Sequence, residues 1–348
     1  MKQIIFTYEG YPYTNIGDYI QSIAAMQFVE NPDNIIYWHR DDLNSYIGEP
    51  AKAVMNGWFT HKKENWPPSK HIEPLFLSFH INSSVYDKLL SRESLDYLKR
   101  HEPIGCRDKV TAELLLKHGI NAYFSSCLTT TLGYKYKISF NKKRNGIYIV
   151  DPVHYIPEAN RRFLKFWFLK DYLRHKIDID GYINNLLSNN PYQKSWSLKK
   201  IEILAMATRS YLLLKKIIGK DLLRKSTVLT QYHLAEEIPD NQQRFKRAYE
   251  LIMRYSSAEL VITSRIHCAL PCLGLETPVV FLQNLDDSVE SICRFDGLLD
   301  LHNIIKFKRN KIVSSPCSLP LELSKIANKS NYKKFAIELI KKCILLNK

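Results

Sequence analysis

The stretch "ELVITSRIHCALPCLGLETPVVFL", residues 259–282, sets an Arg and a His where a buried strand gives way to a helix. In open parallel sheets, ligands bind beyond the carboxyl ends of the strands. Arg265 stands at such an end, after the apolar run "ELVITS", and His267 opens the following helix, whose unpaired N–H groups and dipole favour an anion. The guanidinium fork fits a carboxylate or a phosphate in a bidentate way. The imidazole can donate to an anion or deliver a proton near neutral pH. Ser264 adds a hydroxyl donor. At roughly 1.5–3 kcal/mol per charge-assisted hydrogen bond, the trio suits a small, multiply charged anion. The same spacing also allows a plainer arrangement, in which Arg265 pairs with a neighbouring acid and His267 only caps a helix.

A second cluster lies in "NIGDYIQS", residues 15–22. Gly17 permits a tight turn between the first strand and the first helix. Asp18 is either an N-cap or a carboxylate aimed into the same cleft, placed to take a proton from a substrate hydroxyl. A third cluster is "IGCRDKVTAELLLKHGINAYFSSCLTTTL", residues 104–132. Here Arg107 follows a short strand, and Asp108 and Thr111 are positioned to cap the next helix, with Arg107 and Asp108 forming either a local ion pair or part of a site. Cys127, at a strand end with no His nearby in sequence, is a weak nucleophile candidate. A phosphate-binding G-x-G-x-x-G or Walker loop is excluded, because the needed glycines and Lys are missing.

The elements that carry these clusters alternate. "KQIIFTY", "NIIYW", "AKAVMNGWF", "IEPLFLSFHI" and "INAYFSS" read as strands. "GDYIQSIAAMQFV", "SRESLDYLKRH" (N-capped by Ser91) and "KVTAELLLKHG" (stopped by Gly119) read as helices. Alternation of this kind predicts parallel sheets with helices on both faces. After "RNGIYIVDP" the pattern changes, over 158–225, to long basic helices rich in aromatic residues. It then resumes with "STVLTQYHL" as a strand, a helix over "NQQRFKRAYELIMRYSSA", and the opening stretch. The outline is two Rossmann-like domains: an N-terminal one over 1–145, and a C-terminal one over 146–330 with a helical insertion at 158–225. A basic amphipathic helix over 331–348 follows.

With 348 residues, the chain is long enough for two domains. It has no apolar run of the ~18 residues a membrane span requires, and "MKQIIFTYEG" reads as a strand rather than a signal peptide. Seven Cys without paired spacing suggest free thiols in a reducing compartment, and Cys268 and Cys272 read as packing residues one helical turn apart. The positive charge is segregated. Residues 158–225 hold 15 Lys and Arg against 6 Asp and Glu, and residues 306–348 hold 11 against 2, so the rest of a chain of net charge +15 is slightly acidic. "RRFLKFWFLKDYLRHK" and "NYKKFAIELIKKCILLNK" suit either an anionic membrane surface or a packed helix with a solvated basic face. No nucleic-acid-binding motif accompanies the charge, which argues against that partner.

Taken in order, "NIGDYIQS", "NGWF" at 56–59, the 104–132 block, "RFKRAYELIMRYSSAELVITSRIHCALPCLGLETPVVF" at 244–281 and "RFDGLLD" at 294–300 resemble the polysaccharide pyruvyl transferase family. The resemblance runs from about residue 10 to 300 and weakens over 158–225. Thr14 stands where many members have Gly. The resemblance implies a GT-B-like α/β fold of two facing Rossmann-like domains, and transfer of pyruvate from phosphoenolpyruvate to a sugar as a cyclic ketal. It implies no cofactor, with phosphoenolpyruvate as donor substrate, and a sugar or lipid-linked glycan of a surface polysaccharide as acceptor. The enzyme is then expected in the cytoplasm, at or near the inner face of the membrane. By match to the family motif, Arg265 and His267 hold phosphoenolpyruvate, and Asp18 falls on the family's Gly-Asp. The residues fit that chemistry on their own terms. His267 serves as acid or phosphate ligand, Arg265 as anion clamp, Asp18 as base and Arg107 as a supporting cation, with Asn15 and Gly17 shaping the loop. No His and Asp cluster has metal-site spacing. Two rival readings are a GT-B glycosyltransferase with a nucleotide-activated sugar donor, acidic sugars included, and a non-catalytic binding protein of the same fold.

Overall fold

Apolar runs bounded by polar turns become the strands of two mainly parallel sheets in a computed structural model, which describes residues 1–59, 61–138, 143–153, 168–190, 200–287 and 294–346. The first sheet has the order β3-β1-β4-β5, all parallel: β1 is Lys2–Thr7, β3 Ile35–His39, β4 Ala51–Val54 and β5 Ile72–Leu75. The chain beyond β5 continues alongside β6 (Ile104–Cys106), through bonds from Gly105 N–H to Phe76 O, Phe79 N–H to Gly105 O and Arg107 N–H to Phe79 O. In turn β6 pairs in parallel with β7 (Ala122–Phe124). The second sheet has the order β14-β13-β12-β11-β8-β9, parallel except at β14: β8 is Ile147–Val150, β9 Thr227–Leu229, β11 Leu260–Thr263, β12 Val279–Asn284, β13 Asn303–Lys308 and β14 Lys311–Ser314.

Helix caps follow the sequence signals. Ser91 caps α3 (Arg92–Arg100) and Asp108 caps α4 (Lys109–Lys117), which ends at Gly119 with φ of 76°. Helix α1 (Ile16–Met26) is capped by Asn15, not by Asp18. Preceding it, β2 (Tyr13–Asn15) pairs antiparallel with β10 (Tyr232–Leu234), and the β-branched Thr14 lies opposite His233. "STVLTQYHL" is therefore two strands rather than one. The Asp151 carboxylate explains the break: it accepts from Thr230 Oγ1 (2.6 Å) and Gln231 N–H (3.0 Å), drawing the chain off β9.

The basic segment has a structural task. Among the described residues, α6 (Lys176–Asn189) and α7 (Lys200–Lys225) lie in the crossover from β8 to β9, the connection any parallel pair requires. Tyr211, Leu214, Ile217 and Ile218 pack with Ile149, Val228, Ile262 and Leu282, so these helices cover one face of the second sheet. Their charges are partly paired: Asp178 meets Lys220 and Arg224, which with Tyr211 hold its carboxyl down at about 2 against the pull of burial. Most of "RRFLKFWFLKDYLRHK" lies outside the described residues.

Helix α8 (Asn241–Ser257) packs against α1, and Tyr19 Oη donates to Asn241 Oδ1 at 2.7 Å. Helix α9 (Ile266–Gly274) buries both Cys268 and Cys272 completely, as packing residues. The C-terminal α10 (Tyr332–Leu346) turns Tyr332, Ala336, Leu339 and Cys343 into the core, with Lys333, Lys334 and Lys341 outward. Its main apolar face is thus taken up by the chain itself. Among the described residues, no helix is long and apolar enough to cross a membrane.

Candidate active site

Side chains at the carboxyl ends of strands in both sheets meet in one cleft of about 170 Å³. From the first half come Asn15, Asp18 and Gln21 on α1 and its cap, Trp58 beyond β4, His80 and Asn82 beyond β5, and Arg107 beyond β6. The second half supplies Gln231, Ser264, Arg265, Ile266, His267, Arg294 and Phe295. The sequence clusters around Asp18, Arg107 and Arg265–His267 therefore share one cavity, though some 250 residues separate the first from the last.

Arg265 pairs with an acid and still lines the cleft. Its Nε–H donates to Asp151 Oδ2 at 3.1 Å, and its guanidinium lies over the Tyr232 ring at 5.7 Å. Asp151 is thus the organiser of the second wall, binding Thr230, Gln231 and Arg265 from a backbone at φ of 42°. Ser264 departs from expectation. Its hydroxyl donates to the Asp151 carbonyl at 2.6 Å, so its proton is committed within the protein.

His267 lies at the start of α9, 9% exposed, and its Nε2 is buried with no hydrogen-bond partner. A lone buried ring nitrogen at a cavity wall is costly unless a ligand satisfies it. Burial, then the charges of Arg107, Arg294 and Arg265, push its pKa well below the ordinary value, so the ring is neutral. Gly17 does not line the cavity and has no positive φ; it sits inside α1, so its task is not the tight turn. A Cβ there would come within 2.9 Å of the His267 Cβ and 3.1 Å of Gln231 Oε1, so glycine lets α1 close against His267. Gln231 supports the same group from behind, donating to the His267 carbonyl at 3.0 Å.

Asp18 is not the cap. Asn15 accepts from Gly17 N–H at 3.1 Å, and Asp18, in the first turn of α1, accepts from Gln21 Nε2 at 3.0 Å. Burial raises its pKa, against the opposing pull of Arg40 and Arg107. Arg40, itself buried under the Tyr8 ring at 4.8 Å, is a counter-charge the sequence reading missed. Arg107 is 6% exposed, and its Nε is buried without a partner. It does not pair with Asp108, whose carboxylate instead receives His80 Nδ1 at 2.6 Å. Arg107 acts on Asp18, His80 and His267 alike, which makes it the charge common to the whole cleft rather than a peripheral cation. Cys127 is fully buried with its thiol pKa raised by that burial, and does not line the cleft.

His80, Asp151 and Arg294 were not singled out from sequence. Arg294 stood within "RFDGLLD", and Asp151 directly after an apolar strand, a position that the strand-end rule could have flagged. Among the described residues, three guanidinium groups against one carboxylate line the cavity, with Arg265 also paired to Asp151, a balance that favours an anion. Among the described residues, no group of three or more His, Cys, Asp and Glu side chains is arranged to hold a metal ion.

An α/β protein with an anion-binding cleft at its strand ends, holding titratable groups on opposite walls, has the form of a group-transfer enzyme. The model of the polysaccharide pyruvyl transferase family matches residues 15–287. The chain belongs to this family of transferases acting on polysaccharide. A comparison with curated proteins finds no match. A similar solved structure is that of a functionally uncharacterized protein from Klebsiella pneumoniae subsp. pneumoniae NTUH-K2044. It shares 10% identity, over 86% of this chain and 90% of its own, with a TM-score of 0.40.

Proposed function

We propose that the protein transfers pyruvate from phosphoenolpyruvate to a sugar of a surface polysaccharide, or of its lipid-linked precursor, as a cyclic ketal. The observation that carries this reading is the union of Arg107, Arg265 and Arg294 with the unpartnered His267 Nε2 in a cavity of about 170 Å³. A three-carbon donor with a carboxylate and a phosphate offers the charge those groups call for, and it is small enough for the space. The two sheets then act as facing domains of a GT-B-like arrangement, 1–145 on the acceptor side and 146–330 on the donor side, with α10 folded back. The exposed lysines of α10, although Lys333 and Lys341 are ion-paired with Glu276 and Glu338, place positive charge where anionic lipid beside a lipid-linked acceptor would meet it.

The chemistry requires a proton at the donor methylene carbon, attack by two sugar hydroxyls at the adjacent carbon, and departure of phosphate. Arg265, tied to Asp151 through Nε, grips an anionic group through its two Nη atoms. Burial and then three guanidinium groups hold His267 neutral; the donor's negative charge offsets the guanidinium groups, so its pKa rises when donor binds and the ring takes up the proton it then delivers to carbon. Asp18 receives a proton from an attacking hydroxyl.

Calorimetry in buffers of different ionisation heat tests this. Phosphoenolpyruvate is expected to bind with a dissociation constant of roughly 1 µM to 1 mM, with net proton uptake near neutral pH. The glycosyltransferase alternative predicts instead that a nucleotide-activated sugar binds and phosphoenolpyruvate does not.

A further inference from the structure

The ketal closes through two hydroxyls, so two hydroxyl protons must be removed, and Asp18 accounts for one. We propose that His80, its Nδ1 held by Asp108, is a second base of the cleft and takes the proton of the second attacking hydroxyl at Nε2. This rests on the pyruvyl-transfer reading above.

The geometry assigns the proton positions. Asp108 Oδ1 accepts from Thr111 N–H at 2.9 Å, capping α4, and Oδ2 lies 2.6 Å from His80 Nδ1. Both side chains are buried, His80 at 4% and Asp108 at 0% exposure. Thr111 Oγ1, 3.3 Å from Nδ1, accepts from Ile81 N–H at 3.2 Å. Burial alone would raise the Asp108 carboxyl, but the hydrogen bond from His80, the charge of Arg107 and the bond from Thr111 N–H outweigh it and hold the group below the ordinary carboxylate range. Asp108 is therefore an ionised acceptor, and Nδ1 carries the ring's proton. Burial and the charge of Arg107 push the His80 pKa down to about 4, so the ring is neutral and its lone pair is on Nε2. That ring lines the cavity shared with Asp18 and His267. The charged and titratable groups around it are Asp108, Arg107, Arg294 and His267.

The proton count closes. In the first step a hydroxyl oxygen bonds to the donor's central carbon, its proton passes to Asp18, and the double-bond electrons take a proton from His267. In the second step the other hydroxyl oxygen bonds to the same carbon, its proton passes to His80 Nε2, and the carbon–oxygen bond to phosphate breaks with its electron pair on phosphate. His80 returns its proton to the departing phosphate, and Asp18 returns its own to His267. One hydroxyl proton ends in the methyl group and one on inorganic phosphate.

Asp108→Asn separates orientation from folding, because Asn caps a helix as well as Asp does. Its amide then donates to Nδ1 and forces the His80 proton onto Nε2, where the ring can no longer accept. In a serine protease the corresponding Asp→Asn change costs about 10⁴ in kcat. Phosphate release is measured for wild type, Asp108→Asn and His80→Gln side by side, with the ring tautomer read by NMR on protein labelled at histidine nitrogen. The expected result is an Nδ1–H tautomer in wild type, Nε2–H in Asp108→Asn, and kcat lower by about 10²–10⁴ in both variants with donor KM changed less than about threefold. Either variant turning over at the wild-type rate, or an Nε2–H tautomer in wild type, overturns the proposal. A wild-type enzyme that consumes no phosphoenolpyruvate sinks the donor reading itself, independently of the tautomer result.

Discussion

His267→Ala lowers kcat by roughly 10²–10⁴ while the protein stays folded, the loss typical of removing a general acid from its site. The expectation follows from where the ring is. Its Nε2 is buried and unpartnered beside three guanidinium charges, an arrangement that costs stability until a ligand satisfies that nitrogen. His267→Gln divides the two roles open to that nitrogen. The amide can still donate to phosphate, but it cannot transfer a proton. If the ring is the acid, Gln is as slow as Ala and donor KM stays near the wild-type value. If the ring only holds phosphate, Gln recovers most of the rate. Single-turnover phosphate release, with thermal melting as the check on folding, reads the difference.

Arg107→Ala is expected to have the second-largest effect, in donor binding and in proton transfer together. Loss of one or two charge-assisted hydrogen bonds, about 1.5–3 kcal/mol each, raises donor KM by at least ~10-fold. After burial, Arg107 is the largest influence depressing His267, and its removal raises that pKa, though burial, Arg294, Arg265 and His80 still hold it below the ordinary histidine value. Of the two limbs of the pH–rate profile, the one set by His267 must therefore move to higher pH. Arg107→Lys keeps the charge but not the fork, so it restores the pH profile more fully than the KM. A variant with unchanged donor KM and unchanged profile would place Arg107 outside the donor site.

The parts of the site legible in sequence were those carried by local signals. Arg265 and His267 follow an apolar strand and open a helix, and that juxtaposition alone locates them at a strand end. Ser91, Asp108 and Gly119 mark helix ends by residue type, and each is found there. What stayed hidden depends on pairing across distance. Nothing within "IEPLFLSFHI" says that His80 meets Asp108, 28 residues on, because that contact exists only once the chain beyond β5 lies along β6. Asp18 read as a cap by residue type, and only the structure shows that Asn15, three residues earlier, takes that task and leaves Asp18 facing the cleft. The basic segment read as an insertion because charge and length masked its apolar face. With β8 and β9 seen to be parallel partners, it becomes the crossover that covers the sheet.

The most direct measurement is turnover itself. The protein is incubated with phosphoenolpyruvate and a panel of glycans, inorganic phosphate is followed, and the glycan is weighed. A cleft built for this donor predicts stoichiometric phosphate release, with a mass gain of one pyruvic acid less one water on a single sugar. Release of a nucleotide from an activated sugar, with no consumption of phosphoenolpyruvate, would contradict the account.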